Sequence, residues 1–211
     1  MARTKSGSGL FLPVLAAIVL IVVLGLDRVI DTAQDVFGSV TTKEPVLIED
    51  NGYQLLVGSD GEAKAEQCTA QVALTTRQCG DLKVLVIDAE KMSFIARNIK
   101  LAWGEGKPAI LHRESANSRA KRGKVCGTSF KKTYPRGSCD EFPFASSRES
   151  GAGARAEEVH EDEQNCQGGT ISSAYQHLPI NEGDAYLVVI GNPDKIATEP
   201  WAGQEVRMTQ C

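Results

Sequence analysis

Residues 137–145 read G-S-C-D-E-F-P-F-A, so that two carboxylates, Asp140 and Glu141, stand side by side between a cysteine and two aromatics that flank a proline. Adjacent carboxylates repel, and holding both against bulky apolar groups is costly unless a cation, a shared proton or a reaction offsets it. The pair is therefore a candidate for general acid–base chemistry or for holding a hard metal ion. The plain alternative is a turn closed by Pro143, since Asp and Pro are both common turn residues.

The charges on either side of this stretch carry the idea further. Arg113, Arg119, Lys121, Arg122, Lys124, Lys131, Lys132 and Arg136 precede it with one acid, Glu114, among them. Glu157, Glu158, Glu161, Asp162 and Glu163 follow it. A basic segment suits a polyanion, with Arg113, Arg119, Lys121 and Arg122 as substrate contacts. Clustered acids and amides suit a divalent ion set against one phosphate, and together these are the parts of a metal-dependent phosphodiesterase. Either cluster alone reads as a solvated face. Of the histidines, His160 beside the acidic run is a candidate base or ligand, His112 reads as a packed strand end, and His177 as structural.

Several elements must position these groups. Lys83–Asp88 is a β-branched run typical of a buried strand. Met92, Ile95, Ile99 and Ala102 recur at helical spacing, which predicts a helix over 89–103 with Asp88 as its N-cap and Gly104 and Gly106 as its stop. Residues 107–112 read as a second strand, 115–124 as a short basic helix, and 184–190 as the strongest strand, at the sheet centre. The fold class expected is α+β, a small mixed or antiparallel sheet with flanking helices. The chain's 211 residues, 42% hydrophobic and 24% charged, suffice for one packed domain plus appendages, and 6% aromatics do not suggest a single-strand stacking platform.

Residues 1–8 carry Arg3 and Lys5 and precede an uncharged, largely apolar run over 9–26, long enough to span a bilayer core of about 30 Å at about 1.5 Å per residue. It reads as a membrane anchor or a signal segment, and the flanking positive charges put the remainder outside the cytoplasm. Residues 27–65 read as a stalk and 66–211 as the folded domain. All six cysteines, Cys68, Cys79, Cys126, Cys139, Cys166 and Cys211, lie beyond the apolar run, as disulfides in an oxidising compartment would. Short loops close most readily, which favours 68–79 and 126–139 and leaves 166 with 211. The spacing does not match a zinc motif.

The chain resembles the NucA/NucB deoxyribonucleases. The resemblance rests on residues 93–113, on S-C-D-E-F-P-F-A-S-S over 138–147, on the R-E-S-G-A-G-A that follows, and on E-Q-N-C-Q-G-G over 163–169. Ser147, Ser150 and Gln164 stand where the family has Thr, Gly and Asn, and Asn165 is a possible substitute for the last. The resemblance implies a ββα-metal type of site, in which a hairpin carries the general base and the following helix carries ligands for one divalent ion, Mg2+ or Mn2+. On that pattern Asp140 is the base, Glu141 a ligand or a partner tuning Asp140, and Glu163, Gln167 and Gln164 the metal ligands. It further implies DNA as substrate, an extracytoplasmic site of action, attachment to the membrane through the N-terminal segment or secretion after its cleavage, and an inhibitor or immunity protein as partner. The function expected is an endonuclease acting in DNA degradation, DNA uptake or as a toxin. The alternative is a non-catalytic, disulfide-stapled ectodomain that binds DNA or an envelope partner through 113–136.

Overall fold

The computed structural model describes residues 44–206 and Cys211. The apolar run 9–26 lies outside the described residues, and no helix within them is long and apolar enough to cross a membrane.

Strand β8 (Ala185–Gly191) is buried along nearly its whole length and forms the spine of the sheet. On one side it pairs in parallel with β4 (Leu82–Asp88), from Lys83 opposite Tyr186 to Asp88 opposite Gly191. Its other side is shared by two antiparallel strands, β5 (Ile110–His112) at the start and β2 (Tyr53–Val57) at the end. Strand β1 (Val46–Asp50) extends the sheet beyond β2, and β3 (Gln78–Cys79) beyond β4. The unbroken apolar sequences of β4 and β8 reflect burial on both faces, as central strands require.

The expected stalk over 27–65 is corrected by this arrangement in its later part. Leu55, Leu56 and Val57 are core residues, and Gly58 approaches Trp103 so closely that an added Cβ would lie 2.9 Å from the ring. Asp60 then accepts the Ala109 amide at 3.0 Å and ties this segment to β5. Helices α1 (Glu62–Ala65) and α2 (Ala70–Thr76) follow. The short strand-like runs in this region carried the signal, but their partner β8 lies near the other end of the chain.

Helix α3 (Ser93–Gly104) covers the sheet with Ile95, Ala96, Ile99, Ala102 and Trp103 buried on one stripe. It begins four residues later than its periodicity predicts. Asp88 does not cap it: its carboxylate accepts from the Glu90 amide in the preceding turn and from Asn192. Gly106, in the left-handed region at φ +81°, ends the helix as expected. The basic helix α4 (Ser118–Val125) starts at 118 rather than 115.

A second, two-stranded sheet stands apart from the first. Strands β6 (Gly137–Phe142) and β7 (Arg155–His160) pair antiparallel, with Asp140 opposite Glu157, and β7 runs directly into helix α5 (Glu161–His177). This is a ββα unit on an α+β domain. Phe142 and Phe144 do not cage the acids: they pack edge to face with each other, and Phe142 does so with Trp103, as part of the core. All three disulfides close as the loop lengths suggest, 68–79, 126–139 and 166–211.

Candidate active site

Side chains alternate across a strand, so neighbours such as Asp140 and Glu141 leave β6 on opposite faces. Asp140 points towards α3 and α5 and has no exposed surface. Its Oδ2 accepts from Asn98 Nδ2 at 2.8 Å and its Oδ1 from Gln167 Nε2 at 2.8 Å. Asn98 also reaches the Asp140 carbonyl at 3.2 Å. Burial pushes the Asp140 carboxyl up to about 6, against the opposing pull of the two amide donors.

Glu141 turns the other way, with Cys139, towards α4. Arg122 ion-pairs with its carboxylate and donates to the Cys139 carbonyl at 2.7 Å. Burial drives Glu141 up to about 7, with Arg122 resisting. The Cys126 sulfur lies 3.2 Å from Glu141, but it is part of the 126–139 disulfide and has no proton to donate. For the same reason the cluster of Cys126, Cys139 and Glu141 is not a thiolate metal site. The disulfide joins the end of α4 to the strand just ahead of the two acids, holding cation and carboxylate in one frame.

A cleft of about 320 Å³ opens between α4 and α5, and Arg122, Glu141, Gln164 and Gln167 stand in its wall. The amides form a relay: Gln167 donates to Asp140, Gln164 Nε2 donates to Gln167 Oε1 at 2.8 Å, and Gln164 Oε1 ends the chain, buried without a partner. An ionised carboxylate only accepts, so Asp140 fixes which way both amides face. The terminal acceptor of this relay and the Glu141 carboxylate are hard oxygen donors in one wall, a set that fits a divalent cation of the Mg2+ or Mn2+ kind. Asn165 lies on the other flank of α5, so it does not substitute for Gln164.

Glu163 is not brought to this cleft. Its Oε2 accepts the amides of Phe94 and Ile95 at 3.0 Å each, and Ser93 Oγ lies 3.4 Å from Oε1. It caps α3 from another helix, satisfying donors that the helix cannot satisfy itself. Burial raises its carboxyl to about 7 despite those bonds.

The rest of the acidic run is likewise committed. Glu157 pairs with Arg97 and Arg155, Glu158 accepts the Thr133 and Tyr134 amides, and Glu161 and Asp162 hold Arg136. His160 is buried and caps α5 by accepting the Asp162 amide at 3.2 Å. His112 pairs with Glu149 at 2.7 Å, and His177 is exposed in the last turn of α5.

Of the predicted substrate contacts, Lys121 is paired with Glu114 and bonded to the Ser147 carbonyl. Arg113 lies over the Tyr175 ring at 4.5 Å and 3.3 Å from Glu182. Arg122 faces the cleft, and Arg119 is exposed with no ion pair among the described residues. Sequence reasoning missed Asn98. The signal was present, since Asn98 is the one polar residue on the stripe formed by Ile95, Ala96, Ile99 and Ala102.

A larger cavity of about 720 Å³ lies on the far flank of α5, against Val84, Val86 and the 166–211 disulfide, and includes none of the predicted catalytic, metal or substrate residues. No curated protein matches the chain. Residues 101–189, however, match the family model described as Deoxyribonuclease NucA/NucB. That span contains α4, the whole ββα unit and every side chain of the cleft wall named above, with Asn98 just before it. The acids, the arginine and the amide relay thus lie inside the one stretch of the chain that matches a known family, and residues 101–189 are identified by that match as a domain of the NucA/NucB deoxyribonuclease type.

Proposed function

We propose that this domain hydrolyses internal phosphodiester bonds of DNA outside the cytoplasm, with water as nucleophile and a divalent cation, Mg2+ or Mn2+, as cofactor. The observation that carries the reading is Glu141 in the cleft wall, paired with Arg122 and sharing that wall with the unpartnered Gln164 Oε1. Three closed disulfides support an oxidising compartment.

Asp140 is the base by resemblance, yet both its oxygens accept amide hydrogens and it has no surface from which to meet water. We therefore assign the proton to Glu141. Its carboxylate faces the cleft, and although burial raises the carboxyl to about 7, a cation bound beside it would keep it ionised and able to accept a proton. The water oxygen bonds to phosphorus, its proton passes to Glu141, and the bond to the leaving sugar oxygen breaks, that oxygen taking a proton from solvent. Arg122 moves its charge from the carboxylate to a phosphate oxygen as the substrate enters. Asp140 positions Gln167 and, through it, Gln164. Glu141 and Gln164 would hold the cation, which when bound would stabilise charge building on the phosphate.

Purified protein incubated with plasmid or single-stranded DNA tests this. Cleavage is expected with Mg2+ or Mn2+ and not with chelator, and Glu141→Gln should lower kcat by about 100-fold or more. Cleavage that persists in chelator would remove the metal from the proposal. Failure to cut under any condition would remove the hydrolase.

A further inference from the structure

We propose that the cleft holds one unstacked nucleotide of the strand being cut, so that the domain prefers single-stranded or locally melted DNA to intact duplex. This rests on the hydrolase reading above and adds the form of the substrate.

The first observation is the chemistry of the cleft wall beyond Arg122, Glu141 and the two glutamines. It is made of Phe144 and Ile171 together with the hydroxyls of Ser118, Ser146 and Ser172. Arg122 and the hydroxyls can hold a phosphate, but the apolar faces of Phe144 and Ile171 offer it nothing. A deoxyribose and a base face gain a great deal. Hydroxyls both donate and accept, so they satisfy the edge of any base and select none. Ser146 is held by Tyr175 at 2.9 Å, and Tyr175 in turn by Tyr186 at 3.0 Å, which makes this wall rigid before anything binds. The volume, about 320 Å³, falls at the small end of ligand clefts and suits one residue of a strand rather than a segment.

The second observation is depth. Glu141 and Gln167 are each only 3% exposed. A duplex presents its phosphates on a stiff convex rod, so a phosphate of a flexible single strand enters a recess of this size more readily than one of a duplex. Unpairing costs least where the strand is already single, which is a source of selectivity. The third observation is the basic face. Arg113 and Lys121 are committed to Glu182 and Glu114. Arg119 and Lys124 on α4, with Lys131, Lys132 and Arg148 beyond it, remain exposed and can hold the phosphates that flank the cleft.

The test compares kcat/KM on one labelled strand, alone and in blunt duplex, at fixed salt with Mg2+. Single-stranded DNA should be cut about tenfold faster or more. Ser172→Trp, from the α5 wall, should reduce single-strand cleavage about tenfold and duplex cleavage much less, so that the preference for the single strand is lost. Ser118→Trp does the same from α4 and serves where the first variant fails to fold. Equal cutting of strand and duplex, or full single-strand activity in both variants, overturns the nucleotide subsite and leaves the hydrolase standing. If the wild-type protein cuts neither DNA, the hydrolase reading fails and this inference with it.

Discussion

Glu163→Ala separates two roles that the family resemblance and the structure assign to one residue. If Glu163 caps α3, its loss bares the amides of Phe94 and Ile95 and weakens the hold on Ser93, all within the core-facing start of the helix. Hydrogen bonds to a charged group contribute about 1.5–3 kcal/mol each, and loss of a helix cap about 0.5–2 kcal/mol. Two bared amides whose remaining neighbours relax in part give a loss of about 2–4 kcal/mol. In a domain of this size each kcal/mol moves Tm by about 2–4 °C, so a fall of about 5–15 °C is expected. Glu163→Gln retains one acceptor oxygen and should lose about half as much. The assay is thermal unfolding followed by circular dichroism at pH 8, where the carboxyl, raised to about 7, is ionised, in chelator and again in Mg2+. The cap predicts the same loss in both buffers. An unchanged Tm in chelator, with only the stabilisation by Mg2+ abolished, would refute the cap and restore Glu163 as a metal ligand.

Asn98→Ala leaves the buried Asp140 carboxylate one donor short and should cost about 1.5–3 kcal/mol in denaturant unfolding, with kcat falling and KM for DNA nearly constant; a wild-type unfolding midpoint would count against it. Asp140, Glu141 and Glu163 have folded values of about 6, 7 and 7, above their ordinary 3.8 to 4.5, so between about pH 4 and 7 the folded state binds more protons than the unfolded. Their contribution is fully present below about pH 4 and lost as pH rises through 6 to 7. In chelator, Tm should therefore drop from pH 5 to pH 8, and a rise over that range would contradict the burial of these acids. Replacing Arg119 and Lys124 together with Ala should weaken DNA binding for every sequence and flatten its salt dependence by about two phosphate contacts, whereas Lys121→Ala should mainly lower stability.

Local features of this fold were legible in the sequence and distant ones were not. Disulfide partners followed from loop length, and β4, β8 and the ββα unit from periodicity and motif. The β1–β2 hairpin was invisible as part of the domain because its weak signal is completed only by β8, far along the chain. The acidic run looked like a cation trap because residue type does not reveal partners: Arg97, Arg136, Arg155 and the start of α3 take up those charges across the tertiary fold. The opposite facing of Asp140 and Glu141 was readable in principle, since a strand through G-S-C-D-E-F must send neighbours to opposite sides.

The amide relay has a consequence of its own. A glutamine side chain is nearly symmetric in shape, and nothing about its size decides which end faces a cavity. Here the decision is made by a charge two residues removed along the chain of contacts, and it holds only while that charge exists. When Asp140 takes up a proton, its carboxyl can donate as well as accept; both glutamines are then free to turn over, and Gln164 can offer hydrogens where it had offered oxygen. A group that never meets solvent thus determines whether the cleft greets its visitor as an acceptor or as a donor.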